Sequence, residues 1–282
     1  MSDRIAVIGA GTMGRGIAQV CATFGIPTSL FDVSEDTLAS GVEAIHAGVE
    51  KGIDKGKVPP SAREEVRSLL GAFTDLEPAL TGATVVIEAA PEELELKQRV
   101  FSAIARHVSG DCILATNTSS LPITGIASEV PGPDRFVGLH FFNPVPAMSL
   151  LEIVRGLDTS DAVIERCIAF AGRIGKEPIV VRDSPGFATS RLGVAIGLEA
   201  IRMLESGVAT AEEIDRAMEL GYRHPMGPLR LTDLVGLDVR LAIAEHLHQE
   251  VGEQFRPPHL LRTMVRAGRL GKKSGRGFYD WP

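Results

Sequence analysis

From Gly138 to Val154 the chain reads GLHFFNPVPAMSLLEIV, a mostly apolar stretch with one histidine, His140, and one acid, Glu152. Both sit inside runs that read as buried strands. An ionised carboxylate is costly to bury unless something pairs with it. His140 lies twelve residues earlier, across a Pro-rich turn, and is an available partner. A buried His–Glu pair handles protons more often than it merely packs.

A second group of residues lies at the N-terminus. Gly9-Ala10-Gly11-Thr12-Met13-Gly14 matches GxGxxG. It follows an apolar run, opens a helical pattern, and precedes a second run that ends in Asp32. That context turns a weak glycine pattern into a dinucleotide fingerprint. Gly9 permits the tight turn, and Gly11 lets a pyrophosphate approach the backbone at the positive end of the helix, where Thr12 and Met13 begin it. Gly14 permits close helix–strand packing, and Asp32 is placed to accept hydrogen bonds from the adenosine ribose. Val33-Ser34-Glu35-Asp36 offers no cation for a 2′-phosphate, so NAD is expected rather than NADP. GAGTMGRG would also suit FAD, but the C-terminal part reads as too small and too helical for a typical flavin enzyme.

These residues need a scaffold, and the pattern supplies one. Short apolar runs at Arg4–Ile8, Thr28–Asp32, Thr84–Glu88, Cys112–Thr116, Phe136–His140, Leu150–Val154 and Pro178–Val181 read as strands. Helical patterns separate most of them, including Met13–Phe24, Ser34 to about Lys55, Leu94–His107 and Ser160–Ile174. Ser61 with Glu64 and Thr210 with Glu213 fit capping boxes. This alternation predicts an α/β, Rossmann-type doubly wound, mostly parallel sheet. After Asp183-Ser184-Pro185-Gly186 no convincing strand follows. The expected domains are residues 1–186, binding the dinucleotide, and a smaller all-α domain, 187–282, beginning with one helix over Phe187–Gly207.

Composition narrows the class. The 282 residues are 44% hydrophobic with a net charge of −7. That suffices for two packed cores and argues against nucleic acid or an anionic membrane surface as partner. No segment approaches roughly 20 uninterrupted apolar residues. The N-terminus enters a strand directly, without signal-peptide character. Cys21, Cys112 and Cys167 read as reduced, buried thiols of a cytoplasmic protein. No Cys/His spacing suggests a metal, and His246 and His248 read as surface residues.

Taken together, IAVIGAGTMGRGIAQV, TNTSSLPIT, HFFNPVPAMSLLEIV, DSPGF and GKKSGRGFYDW resemble the short-chain L-3-hydroxyacyl-CoA dehydrogenase (3-hydroxybutyryl-CoA dehydrogenase) family over nearly the whole length. The resemblance implies a catalytic His140–Glu152 dyad. It implies that Ser119 contacts the substrate 3-oxygen near the nicotinamide, and that Asn143 orients cofactor and substrate. Glu92, Lys97 and Lys273 match positions that contact the dinucleotide, and the glycines near Lys273 suggest a loop folded back onto the cofactor domain. It also implies an acyl-CoA substrate and a homodimer formed through the helical domain. From its residues alone, TSSLP leaves Ser119 equally readable as a turn or cap residue.

Two positions depart from or extend the family pattern. Ser190 stands where the family places a substrate-contacting asparagine, which loosens the identity of the acyl group. Lys51, Lys55 and Lys57 form a basic cluster that reads either as a solvated helix end or as a contact to the CoA phosphates. Lys55 matches a CoA-contacting lysine best. The activity implied is oxidation of a 3-hydroxyacyl-CoA with NAD, His140 acting as the general base. Rival readings are a 3-hydroxyadipyl-CoA dehydrogenase, a crystallin-like sugar-acid dehydrogenase, and a non-catalytic NAD-binding protein. The first rival requires a cation at the far end of the acyl pocket, for which Arg191, Arg223 and Arg230 are available in sequence.

Overall fold

Runs of aliphatic residues too short to be helices alternate with amphipathic segments from Ile5 onward. A computed structural model describes residues 3–282. The chain divides into two compact units, the first ending at Asp183 and the second beginning at Ser184.

The first unit holds eight strands: β1 (Ile5–Ile8), β2 (Thr28–Phe31), β3 (Leu70–Phe73), β4 (Val85–Glu88), β5 (Ile113–Thr116), β6 (Phe136–Phe141), β7 (Leu150–Arg155) and β8 (Glu177–Arg182). Their order across the sheet is β3-β2-β1-β4-β5-β6-β7-β8. Order reverses between β1 and β4, the switch point at which open α/β sheets bind ligands. Helices α1 (Thr12–Thr23), α2 (Glu35–Asp54), α3 (Ala62–Leu69), α4 (Leu76–Leu80), α5 (Leu94–Ile104), α6 (Ile123–Ala127) and α7 (Asp161–Arg173) connect the strands. All residues of β1, β2, β4 and β5 are buried. Helices cover both faces of such a sheet, so the strands read as continuous apolar runs rather than alternating ones.

The β6–β7 pair is antiparallel, while the other described ladders are parallel. A short loop joins β6 to β7, and only an antiparallel return fits so short a connection.

Some expectations require correction. Ser61 does not form a capping box. Its backbone is helical, and its side chain makes no cap hydrogen bond. The Ala62 and Arg63 N–H groups instead donate to the Pro59 and Pro60 carbonyls, so the diproline turn does the capping. Thr210 and Glu213 do form the reciprocal box. Strand β3 has no counterpart in the sequence reading. It is an edge strand, LGAF, interrupted by glycine and only partly buried.

The second unit is built of α8 (Thr189–Glu205), α9 (Ala211–Tyr222), α10 (Pro228–Val235), α11 (Leu237–Glu250) and α12 (His259–Arg266). Helix α8 starts later than expected because Gly186 and Phe187 hold positive φ angles of 72° and 49°. Val194, Leu198, Ile201, Leu229, Leu237, Leu247 and Leu261 form its core. The C-terminal loop folds onto this unit through Asp233, which is fully buried. Asp233 accepts hydrogen bonds from Phe278 N, Tyr279 N and Trp281 Nε1 at 2.8–2.9 Å. The loop carrying Lys273 is thus clasped to the helices of its own unit. No helix among the described residues is long and apolar enough to cross a membrane.

Candidate active site

The strand registers set Ile8 level with Phe31 and Glu88, Glu88 level with Thr116, and Thr116 level with Gly138. The segments that follow these strands therefore emerge together at the carboxyl edge of the sheet.

At the β1–α1 turn, Gly9 has φ 104°, and a Cβ there would stand 2.8 Å from the Ala89 carbonyl oxygen. A Cβ on Gly14 would lie 1.7 Å from the Gly9 carbonyl oxygen. Neither position admits a side chain. A Cβ on Gly11 would meet nothing within 4 Å, so the space before the helix N-terminus is open. Thr12 is exposed there, whereas the Met13 side chain packs on the core. Met13 can therefore offer a ligand its backbone but little of its side chain. Asp32 Oδ2 accepts from Ala10 N at 2.8 Å and Oδ1 from Ser34 N at 2.9 Å. Both bonds aim the carboxylate without using all its lone pairs. An open helix terminus beside a fixed, half-buried carboxylate fits the pyrophosphate and ribose of NAD.

The next loops form a buried network. Glu88 Oε1 accepts from Ala90 N at 2.6 Å and Lys97 Nζ at 2.7 Å, while Oε2 accepts from Thr116 Oγ1 at 2.7 Å. Lys97 is 0% exposed and also donates to the Ala90 carbonyl at 3.2 Å. Its Nζ stands 3.6 Å from Glu92 Oε2. Glu92 remains partly accessible, and its Oε1 collects three donors: Thr118 Oγ1 at 2.6 Å, Ser119 N at 2.9 Å and Ser119 Oγ at 3.2 Å. The turn-forming role falls to Thr118, whose Oγ1 accepts from Ser120 N and Leu121 N. Ser119 is left at the rim with a hydroxyl that donates.

His140 and Glu152 are direct partners across β6 and β7. His140 Nδ1 stands 2.7 Å from Glu152 Oε2, with the two residues 6% and 0% exposed. An ionised carboxylate only accepts, so Nδ1 is the donor in this pair, and the neutral ring then keeps its lone pair on Nε2. The Phe142 ring lies 4.3 Å from the imidazole, centroid to centroid. Asn117 Oδ1 accepts from Phe141 N at 2.9 Å, tying the end of β5 to the end of β6. Asn143 is exposed just beyond. The loop carrying it is held by Lys176, whose Nζ donates to the Val145 and Met148 carbonyls at 2.6 Å each.

The first unit thus gathers Gly9–Gly14, Asp32, Glu92, Ser119, His140, Asn143 and Glu152 along one edge, with Lys97 beneath the surface. Lys55 is exposed at the far end of the 20-residue α2, a helix length of about 30 Å from its start beside Asp32. Ser190 and Lys273 belong to the second unit. Ser190 is half-buried in the first turn of α8, and Lys273 Nζ donates to Asp238 Oδ2 at 2.6 Å. Glu88, Thr116, Asn117, Thr118 and Lys176 escape sequence reasoning. The only signal for them was that polar residues end strands or begin turns.

Residues 4–184 match the domain family described as 3-hydroxyacyl-CoA dehydrogenase, NAD binding domain, and residues 186–281 match 3-hydroxyacyl-CoA dehydrogenase, C-terminal domain. A 3-hydroxybutyryl-CoA dehydrogenase of Mycobacterium tuberculosis is 44% identical, with 100% of both chains covered. A 3-hydroxyadipyl-CoA dehydrogenase of Escherichia coli is 42% identical over 98% of this chain and 58% of that longer protein. The crystal structure of an (S)-3-hydroxybutyryl-CoA dehydrogenase from Ralstonia eutropha covers all of both chains, with a TM-score of 0.95 and 40% identity. With both domain families matched in order along almost its full length, the chain belongs to the 3-hydroxyacyl-CoA dehydrogenase family and is an NAD-dependent 3-hydroxyacyl-CoA oxidoreductase.

Proposed function

We propose that His140 and Glu152 are the acid–base machinery by which this enzyme interconverts the 3-hydroxy and 3-oxo forms of a short acyl-CoA thioester. The 2.7 Å Nδ1–Oε2 pair at the carboxyl edge of the sheet carries the reading. NAD, when bound, supplies the hydride acceptor. His140 Nε2 takes the hydroxyl proton, and Glu152 holds the tautomer and stabilises the imidazolium that results. Ser119 Oγ turns from Glu92 to donate to the substrate 3-oxygen, where negative charge develops. Asn143 orients the thioester and the cofactor, and Glu92 meets the cofactor with its exposed side. Lys97 acts from beneath by holding Glu88 and Glu92.

The helical domain, 187–282, is assigned the remaining substrate contacts through Ser190, with Lys55 of the first domain reaching the CoA phosphates and Lys273 the cofactor. Leu192 and Ile196 of α8, Leu231, Leu234 and Val235 of α10 and Val239 of α11 are exposed apolar residues. They favour a homodimer through this domain. Three buried free thiols fit a cytoplasmic location.

The test is oxidation of NADH by the purified protein with acetoacetyl-CoA. Turnover that vanishes in His140→Gln supports the assignment. Near-normal turnover in that variant overturns it.

A further inference from the structure

Helix α1 buries two glycines early in its length, Gly14 and Gly16. Glycine inside a helix forgoes stability that alanine would give, so each position needs a steric reason. At Gly14 the reason is the Gly9 carbonyl. Gly16 lies two residues on, about 200° around the helix, and so points away from the cofactor turn.

What Gly16 meets is the loop between β6 and β7. A Cβ at this position would stand 2.9 Å from Val145 Cγ2, 3.0 Å from Val145 Cβ and 3.9 Å from Pro146 Cδ. Val145 is 2% exposed and packs into the core of the first unit. Its carbonyl accepts from Lys176 Nζ at 2.6 Å, and the Ala147 and Met148 N–H groups close the turn on the Pro144 carbonyl. A β-branched side chain is stiff at χ1, and its Cβ moves only with its own backbone. A methyl group at position 16 therefore displaces the loop itself. Asn143 stands two residues before Val145 on that loop.

We propose that Gly16 and Val145 are positioning residues, the contact through which the dinucleotide-binding helix sets where Asn143 stands. A misplacement of about 1 Å in a group that orients substrate can cost about a hundredfold in rate. The space in front of Gly11, by contrast, is open and lies at the other end of the same helical turn. The contact thus acts on the acyl-CoA step more than on cofactor affinity. The inference rests on the reading of Asn143 above and adds the residues that hold it in place.

The test uses the full-length enzyme, with active sites counted by NADH titration so that unfolded protein does not contribute. Gly16→Ala is expected to lower kcat/KM for acetoacetyl-CoA by about tenfold or more. The dissociation constant for NADH should change by less than about threefold. Val145→Ala removes both Cγ atoms and should lower kcat/KM by a smaller factor, because the loop loses its seat. The double variant adds on one side of the contact what it removes from the other. It leaves the Cβ–Cβ approach of 3.0 Å, which the loop can relieve by a few tenths of an ångström. Its kcat/KM should exceed that of both single variants, the non-additivity expected of residues in contact. A double variant no better than Val145→Ala alone overturns the inference, whether or not Gly16→Ala folds. So does a Gly16→Ala enzyme with parental kcat/KM, or one whose NADH affinity falls as far as its turnover, since the glycine would then serve the helix alone. Asn143→Ala, measured alongside, separates the two levels. Parental turnover in that variant overturns the reading beneath as well, whereas an impaired Asn143→Ala beside a parental Gly16→Ala overturns this inference alone.

Discussion

His140 and Glu152 face each other across the antiparallel β6–β7 ladder of an otherwise parallel described sheet, Nδ1 2.7 Å from Oε2. Directly opposed residues of an antiparallel pair hold their Cβ atoms about 5 Å apart, so neither side chain has to reach. Strands β5 and β8 fix the two backbones from outside.

On the proposed roles, replacing His140 by Gln removes the proton acceptor. We expect kcat to fall by about 10²–10⁴-fold or more, with NADH affinity in a fluorescence titration nearly unchanged. Glu152→Gln keeps the contact but frees the tautomer, and should lower kcat more than it changes KM.

Asp32 is fixed by two backbone N–H groups at the end of β2. Asp32→Ala should raise the KM for NAD about tenfold or more, as expected for losing charge-assisted hydrogen bonds. The acyl-CoA KM at saturating NAD should move little. Equal changes in both constants would mean that Asp32 supports the fold rather than the ribose.

Burial pushes Cys21 and Cys167 up to about 12 and Cys112 up to about 11. The thiolate is the reactive form, so a thiol reagent at neutral pH should leave the native protein unlabelled and modify all three cysteines after unfolding. The unfolded chain ionises these groups near 9.0 while the fold keeps them protonated. Stability should therefore decline as pH rises from about 9 towards the folded values, in urea titrations across that range.

Lys176 is 7% exposed and caps two carbonyls of the loop that carries Asn143. Lys176→Met leaves both acceptors without their donor. The expected loss is about 2–4 kcal/mol in urea unfolding. If Asn143 orients the thioester as proposed, a rise in KM for the acyl-CoA should accompany it, since Asn143 loses its support.

Asp233→Ala should release the C-terminal clasp, at a cost of about 3 kcal/mol for three part-buried donors that lose their acceptor. Limited proteolysis should then cut the chain within residues 271–282 at a temperature where the parent resists.

The strands of the first domain were legible because a sheet covered on both faces needs uninterrupted apolar runs, and IAVI, VVIE and ILAT are such runs. The cofactor turn was legible because its glycines are steric requirements at Gly9 and Gly14. The dyad was legible because acid and base interrupt apolar strands. Edge strand β3 was not, since glycine and partial exposure erase the pattern. Glu88 and Lys97 each resemble ordinary surface residues in sequence, and only the fold reveals that they neutralise each other in the interior. Arg240 follows the same rule. Its i, i+4 and i+7 companions Ala244 and Leu247 mark an inward stripe, but a lone arginine on that stripe reads as solvent-facing until the helices are packed.

The β6–β7 ladder also has a consequence for the order in which the enzyme assembles. The dyad is a contact across only 12 residues. The Asp32–Ala10 bond spans 22, and β1 must find β4 to set Ile5 beside Val85. Loop closure favours the shorter connection. A partly folded chain can therefore hold the His140–Glu152 pair before it has a seat for NAD. When the fold loosens, cofactor affinity should be lost first, with the histidine and its glutamate still in register.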